Sequence, residues 1–220
     1  ENVRLFNETK EALEKQTATS DILQVLSGSP SDTQPVFDAI VQHAARLCES
    51  SYANVFRYDG ERLHLAASHG GTPSALAALR SSYPAPPERK RAVGRVIQTG
   101  RAIRIEDTLA DAEYDQNFAA KLLVRRLLAV PLLRAGQTIG AITVGWEEPG
   151  PISQRYEDLL RTFADQAVIA IENVRLFNET KEALDQQKAS AEVLGAISGS
   201  IADTKPVFEK ILASCERLFE

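Results

Sequence analysis

Hydrophobic positions in the last third of this chain recur every seven residues. Phe163, Ala170, Phe177, Leu184 and Ala191 form one series, and Leu160, Ala167 and Val174 form a second, three residues earlier. That heptad predicts a long helix whose seam suits a left-handed two-helix coil. Neither Pro nor Gly interrupts between Ile152 and Leu194, so the helix extends for about forty residues at about 1.5 Å each. The seam turns polar at Lys181 and Lys188, which predicts a parallel homodimer of moderate stability. The alternative is a helix whose first half packs on its own domain. Near the start of the chain, SGS breaks a helical stretch. Asp32-Thr33 then supply an N-cap signal for a second helix, with Val36, Ile40, Val41, Ala44 and Leu47 as its buried face.

Between these helical regions the spacing shortens to that of strands. ANVFRYDGERLHLAAS reads as two strands joined at Asp59-Gly60, a hairpin signal. GGTPSALAALRSSY predicts a short helix, PAPPERK a loop, and VGRVIQTG a helical turn ending at Gly100, followed by the strand AIRIED. DTLADAEYDQNFAAKLLVRR predicts a loop entering a helix, and LLAVPLLRAGQTIGAITVGWE a hairpin turning at Ala135-Gly136. Strands that are adjacent, then separated by helices, then adjacent again define an α+β domain around an antiparallel sheet, with the long helices on one face.

The thirteen residues ENVRLFNETKEAL occur at 1–13 and again, unchanged, at 172–184. The match continues through SGS, DT and PVF at an offset of 171 residues (172 minus 1), far longer than the solenoid periods of about 20–50 residues. A period of that length is a whole domain with its connector. The expected organisation is a connector helix over 1–29, a domain over 30–172, a second connector over 173–200, and the start of another unit over 201–220. On the heptad, Phe6 and Leu13, like Phe177 and Leu184, sit on the seam. The chain contains no Met, so it reads as an internal piece of a longer tandem array.

Composition narrows the function. With 44% hydrophobic and 25% charged residues, the chain has material for a sizeable core. A net charge of -5 and a pI near 5.4 argue against a nucleic-acid partner. The longest apolar run, Leu127–Leu133, is too short to cross a membrane, so no membrane contact is expected. Cys48 and Cys215 occupy non-equivalent repeat positions, which fits buried thiols in a reducing, cytoplasmic setting.

No catalytic constellation emerges. There is no phosphate-binding loop, HExxH or Cys-x-x-Cys metal signature, kinase phosphoacceptor box or nucleophile elbow. The expectation is therefore no enzyme activity, no metal and no cofactor. Among the histidines, His69 closes a strand in SHGG, where an imidazole by itself reads as plain surface. The run ERKRAVGR, Glu88 to Arg95, concentrates basic residues. It reads as a solvated loop or as an anion contact at the start of the following helix.

Four stretches at this spacing, ANVFRYDGERLHLAASHG, VGRVIQTGRAIRIED, LLAVPLLRAGQTIGAITVG and the closing helix, resemble a GAF domain over roughly residues 33–172. The repeated connector further resembles multi-GAF bacterial sensors that end in a histidine kinase or a nucleotide cyclase. The resemblance implies an antiparallel sheet of about six strands, dimerising helices on one face and a ligand cleft on the other. It places Asn54, His69, Val93, Leu109, Tyr114 and Phe118 at that cleft, although Val93, Leu109 and Phe118 equally suit plain core. It implies a dimer interface along Leu160, Phe163, Ala167, Ala170, Val174, Phe177 and Leu184. The chain lacks the Asn-Lys…Asp-Glu pattern of cyclic-nucleotide-binding relatives and the Cys-His pair to which many bilin-carrying ones attach their chromophore. The implied function is a non-catalytic sensor of an unidentified small molecule, signalling to an output domain downstream in the same chain. The competing expectation is a ligand-free dimerisation spacer whose cleft is filled by Leu109, Tyr114 and Phe118.

Overall fold

The computed structural model describes residues 16–18, 20–22, 24–25, 28, 31–199, 209, 211–213 and 215. In chain order the elements are α1 (Gln34–Leu47), β1 (Tyr52–Tyr58), β2 (Leu63–Gly70), α2 (Pro73–Ser81), α3 (Ala92–Thr99), β3 (Ile103–Ile105), α4 (Gln116–Leu122), β4 (Arg126–Arg134), β5 (Gln137–Trp146) and α5 (Gln154–Gly199). The chain divides into two compact units, Glu1–Glu172 and Asn173–Glu220. The expected connector copy at 1–13 and the stretch 201–208 lie outside the described residues.

Two tight turns organise the sheet in the first unit. Asp59 closes one of them, its Oδ1 accepting from the amides of Glu61 at 2.9 Å and Arg62 at 2.7 Å. These bonds hold the Asp59 carboxyl well below the usual carboxylate range, with a further contribution from His64. Ala135 and Gly136 close the other as a two-residue turn with positive φ at both, 47° and 81°, matching the twist of the strands they join. All pairings are antiparallel and the strand order is β2-β1-β5-β4-β3. The sheet thus has five strands where the family resemblance implied about six. Beside the outer edge of β2, Ala85 pairs with Leu63, exchanging two backbone bonds (2.8 and 3.1 Å).

The sheet separates two cores. On one face α1 buries Val36, Phe37, Ile40, Val41 and Ala44, and the first half of α5 buries Leu160, Phe163, Ala164, Ala167 and Ala170, against Ala53, Val55, Leu128, Val130 and Ile142. The face predicted for α1 is the face observed, and Ala18 and Ile22 join it. Instead of a capping hydroxyl, Asp32 accepts from the amide of Gln34 at 2.8 Å to open the helix. The other face, packed by α2, α3 and α4, holds Tyr52, Phe56, Val93, Val96, Tyr114, Phe118 and Leu122.

α5 runs from Gln154 to Gly199, 46 residues in all; the absence of Pro and Gly predicted it as far as Leu194, and it continues through Gly195. In the second unit its surface carries Leu176, Phe177, Leu184 and Leu194 exposed, with an Arg175–Glu179 ion pair at 2.5 Å one turn apart. Among the described residues, no helix is long and apolar enough to cross a membrane.

Candidate functional site

The face of the sheet away from α1 and α5 carries a small internal cleft. β1 contributes Tyr52, Asn54 and Phe56, and β5 contributes Thr143. The opposite wall comes from Leu79 of α2, Tyr83, the start of α3 (Arg91, Ala92, Val93), Tyr114, and Phe118 and Leu122 of α4. Its free volume is about 20 Å³, room for about one water. An adjoining hollow of about 20 Å³ shares Tyr52, Asn54, Leu79 and Leu122 and extends towards Ala75 and Leu76.

Strand register sets the polar floor. Asn54 pairs with Ser68 on one side and Thr143 on the other, so three polar side chains line up across β2, β1 and β5. Ser68 Oγ donates to Asn54 Oδ1 at 2.7 Å, and Asn54 Nδ2 donates to Thr143 Oγ1 at 3.4 Å. Asn54 and Thr143 are buried, and their mutual bonding offsets the cost of removing them from water.

The loops of the opposite wall are tied down by ion pairs. Arg95 on α3 grips Asp111 through Nη1–Oδ2 at 2.5 Å and Nη2–Oδ1 at 3.1 Å, which holds the Asp111 carboxyl below its usual range. Arg125 grips Asp107 at 2.9 and 2.8 Å. Asp115 caps α4 by accepting from the amide of Phe118 at 3.0 Å, while its own amide donates to Lys90 O at 2.9 Å. That last bond sets Arg91 beside Phe118, with its guanidinium carbon 3.8 Å from the ring centroid. Gly94 is required here by close packing: a Cβ would lie 2.0 Å from the carbonyl oxygen of Glu88.

Burial shapes the three tyrosines. It pushes the buried Tyr52 and Tyr114 phenols up, and it raises Tyr83 despite the neighbouring Arg91 guanidinium. All three are neutral hydrogen-bonding groups at ordinary pH. Among the described residues lining the cleft, two buried groups are left without hydrogen-bond partners, the Tyr52 hydroxyl and the Nε and Nη1 of Arg91.

Of the residues expected at the cleft, Asn54, Val93, Tyr114 and Phe118 line it. Leu109 does not: it is 55% exposed on the loop after β3. His69 is also exposed, and it pairs with Ala53, a residue of the helix-side core. A bulge explains this. Val55 pairs with Ala67 and Phe56 with Leu65, leaving Ala66 as an extra residue, so the facing of β2 inverts between Leu65 and Ser68. Tyr52, Ser68, Tyr83, Arg91 and Thr143 escaped the sequence reading. For Arg91 alone there was a signal, the basic run Glu88 to Arg95.

On the predicted dimer seam, Leu160, Phe163, Ala167 and Ala170 are fully buried in the domain's own core, which withdraws them from any partner. Val174 is half-buried, and Phe177 and Leu184 are 43% and 48% exposed. Cys48 is buried beneath Trp146, whose Nε1 donates to its carbonyl oxygen at 3.1 Å. Burial pushes its thiol up to about 12, and no cysteine lines the cleft. Among the described residues no group of three His, Cys, Asp or Glu is placed to hold a metal ion.

A five-stranded antiparallel sheet with helices on both faces and a cleft opposite the first half of α5 defines an α+β domain. The match to the GAF domain family spans residues 30–172, and the chain belongs to that family, whose members are generally sensory or regulatory. Similar solved structures include the GAF domain of a phosphoenolpyruvate-protein phosphotransferase from Coxiella burnetii. That structure is 15% identical, with a TM-score of 0.63, over 76% of this chain and 98% of that one. The free methionine-R-sulfoxide reductase of Neisseria meningitidis, solved with its substrate, is 18% identical with a TM-score of 0.61, over 76% and 93%. A domain of a putative two-component sensor histidine kinase from Sinorhizobium meliloti is 17% identical with a TM-score of 0.53, over 66% and 94%. These identities bear on fold alone. Among curated proteins, none matches the chain.

Proposed function

We propose that this chain is a non-catalytic sensory module in which occupancy of the cleft biases α5 and, through it, an output domain downstream in the same chain. One observation carries the reading. β1 presents Tyr52, Asn54 and Phe56 to the cleft side and Ala53 and Val55 to the core that holds Leu160, Phe163 and Ala167. A ligand that shifts β1 therefore acts directly on the packing of the root of α5, as coupling between two sites requires. The parent protein is read as a cytoplasmic tandem array ending in a histidine kinase or cyclase, on the strength of the repeated connector. Association as a parallel homodimer is supported by the exposed Phe177 and Leu184, one heptad apart in the second unit.

A small-molecule panel that raises the melting temperature and protects amides of Glu157–Ala170 from hydrogen exchange is the expected result. A strictly monomeric chain at high micromolar concentration, by sedimentation, counts against the dimer. The second reading, a ligand-free spacer, is favoured by the small free volume, since Tyr83, Tyr114 and Phe118 already occupy most of the cleft. Leu109, exposed, takes no part in that filling. Indifference of the domain to the whole panel would decide for the spacer.

A further inference from the structure

Four cationic side chains, Arg89, Lys90, Arg91 and Arg95, fall on the loop before α3 and its first turn. Three have carboxylate partners: Arg89 pairs with Glu113 at 3.1 Å, Lys90 with Glu88 at 2.7 Å, and Arg95 with Asp111. Among the described residues no carboxylate pairs with Arg91, although it is the one that faces the cleft. The rings of Phe118 and Tyr83, 3.8 and 5.4 Å from its guanidinium carbon, attract the charge, and the Tyr83 hydroxyl accepts a hydrogen bond from the guanidinium. Its Nε and Nη1 are buried and unpartnered, a condition that native proteins seldom tolerate.

The same cleft holds a second unpartnered group, the Tyr52 hydroxyl, on a side chain only 8% exposed. An arginine only donates, and a neutral phenol donates readily. At the wall formed by Ala92 and Val93, α3 begins with no side-chain cap, leaving its first amides without helical partners. No Asp or Glu lines the cleft. Residues with unused donors thus line a space that lacks a negative charge.

We propose that the cleft is an anion site for a small planar oxyanion, gripped by Arg91 Nε and Nη1 and by the Tyr52 hydroxyl. This inference rests on the reading of the cleft as a ligand site. The two adjoining hollows of about 20 Å³ each have room for about one water apiece, so a ligand must be small and must displace part of the lining to enter. A short-chain carboxylate and an inorganic oxyanion such as nitrate are among the smallest anions of that kind. The apolar lining by Ala75, Leu76 and Leu79 beyond Tyr52 gives a carboxylate's chain somewhere to go.

The test titrates the full chain with sodium propionate, sodium nitrate and neutral propionamide at fixed ionic strength. Calorimetry and the Nε–Hε resonance of Arg91 are the readouts. At least one anion is expected to bind saturably and shift that resonance, and propionamide is not. Binding of propionate alone identifies the organic source, and binding of nitrate identifies the inorganic one. Arg91→Lys and Arg91→Met should weaken anion binding by about tenfold or more, with the far-UV spectrum unchanged. If those variants fail to fold, Tyr52→Phe provides the second arm and should weaken binding several-fold. Propionamide binding as tightly as the anions, or anion binding indifferent to Arg91 and Tyr52, overturns the charge assignment while leaving a ligand cleft. No response to these probes or to any member of the wider panel overturns both readings.

Discussion

The ring of Tyr52 lies directly over Gly145, its partner across β1 and β5. A Cβ on that glycine would sit 2.2 Å from the phenol's Cζ and oxygen and 2.6 Å from Cε2. The glycine thus makes room for a side chain that forms part of the cleft floor. Gly145→Ala is expected to cost about 1–3 kcal/mol, the usual range for overpacking a tight interior. Chemical denaturation measures the loss. Tyr52→Ala in the same chain should remove most of the added penalty, whereas Tyr52→Phe, which keeps Cζ and Cε2, should not.

The Tyr52 hydroxyl carries a separate expectation. Because it is buried without a partner, Tyr52→Phe alone should leave the ligand-free domain as stable as before or more stable by up to about 1 kcal/mol. A clear loss of stability in urea would mean that the hydroxyl is engaged.

Acid sensitivity should trace partly to Asp111. Hydrogen bonds from Arg95 hold its carboxyl below the usual range, so the folded state favours the ionised form. A depressed folded pKa stabilises in full above the unfolded value of about 3.9 and is lost as pH falls through the folded value. Asp111→Asn should therefore cost about 2 kcal/mol near neutrality, with the gap to wild type closing below about pH 4. Urea denaturation repeated across pH 3–8 measures it, and a gap independent of pH would contradict the assignment.

Fold and seam positions on α5 should separate cleanly. Leu160→Ala removes a fully buried side chain from the helix-side core and should cost about 2–5 kcal/mol. The double change Phe177→Glu with Leu184→Glu touches two exposed positions. It should leave the melting temperature of the domain nearly unchanged while shifting any dimer to monomer in sedimentation.

Local chemistry made much of the fold legible. The Asp59-Gly60 and Ala135-Gly136 turns, the buried face of α1 and the uninterrupted length of α5 all follow from neighbours close in sequence. The cleft was legible only in part, because its residues meet through register and loop anchoring. His69 illustrates the limit: one extra residue at Ala66 inverts the facing of β2, and nothing in LHLAAS announces a bulge. The heptad at Leu160, Phe163, Ala167 and Ala170 was real as a pattern, but the sheet of the same chain supplies its partner. Arg91 lay within a basic run whose other members found carboxylates, and only the fold distinguishes the one that did not.

Strand β1 buries five consecutive residues, Tyr52 to Phe56, and this limits how such a module can diversify. Four of those positions answer to a core on one face or the other, and Asn54 answers to the polar floor of the cleft, so none is free to drift. New specificity must enter through the wall carried on loops and short helices, around Tyr83, Arg91 and Tyr114, where a side chain can change without disturbing the root of α5. The sheet would then serve as fixed hardware, and the variable part of the sensor would lie in its roof.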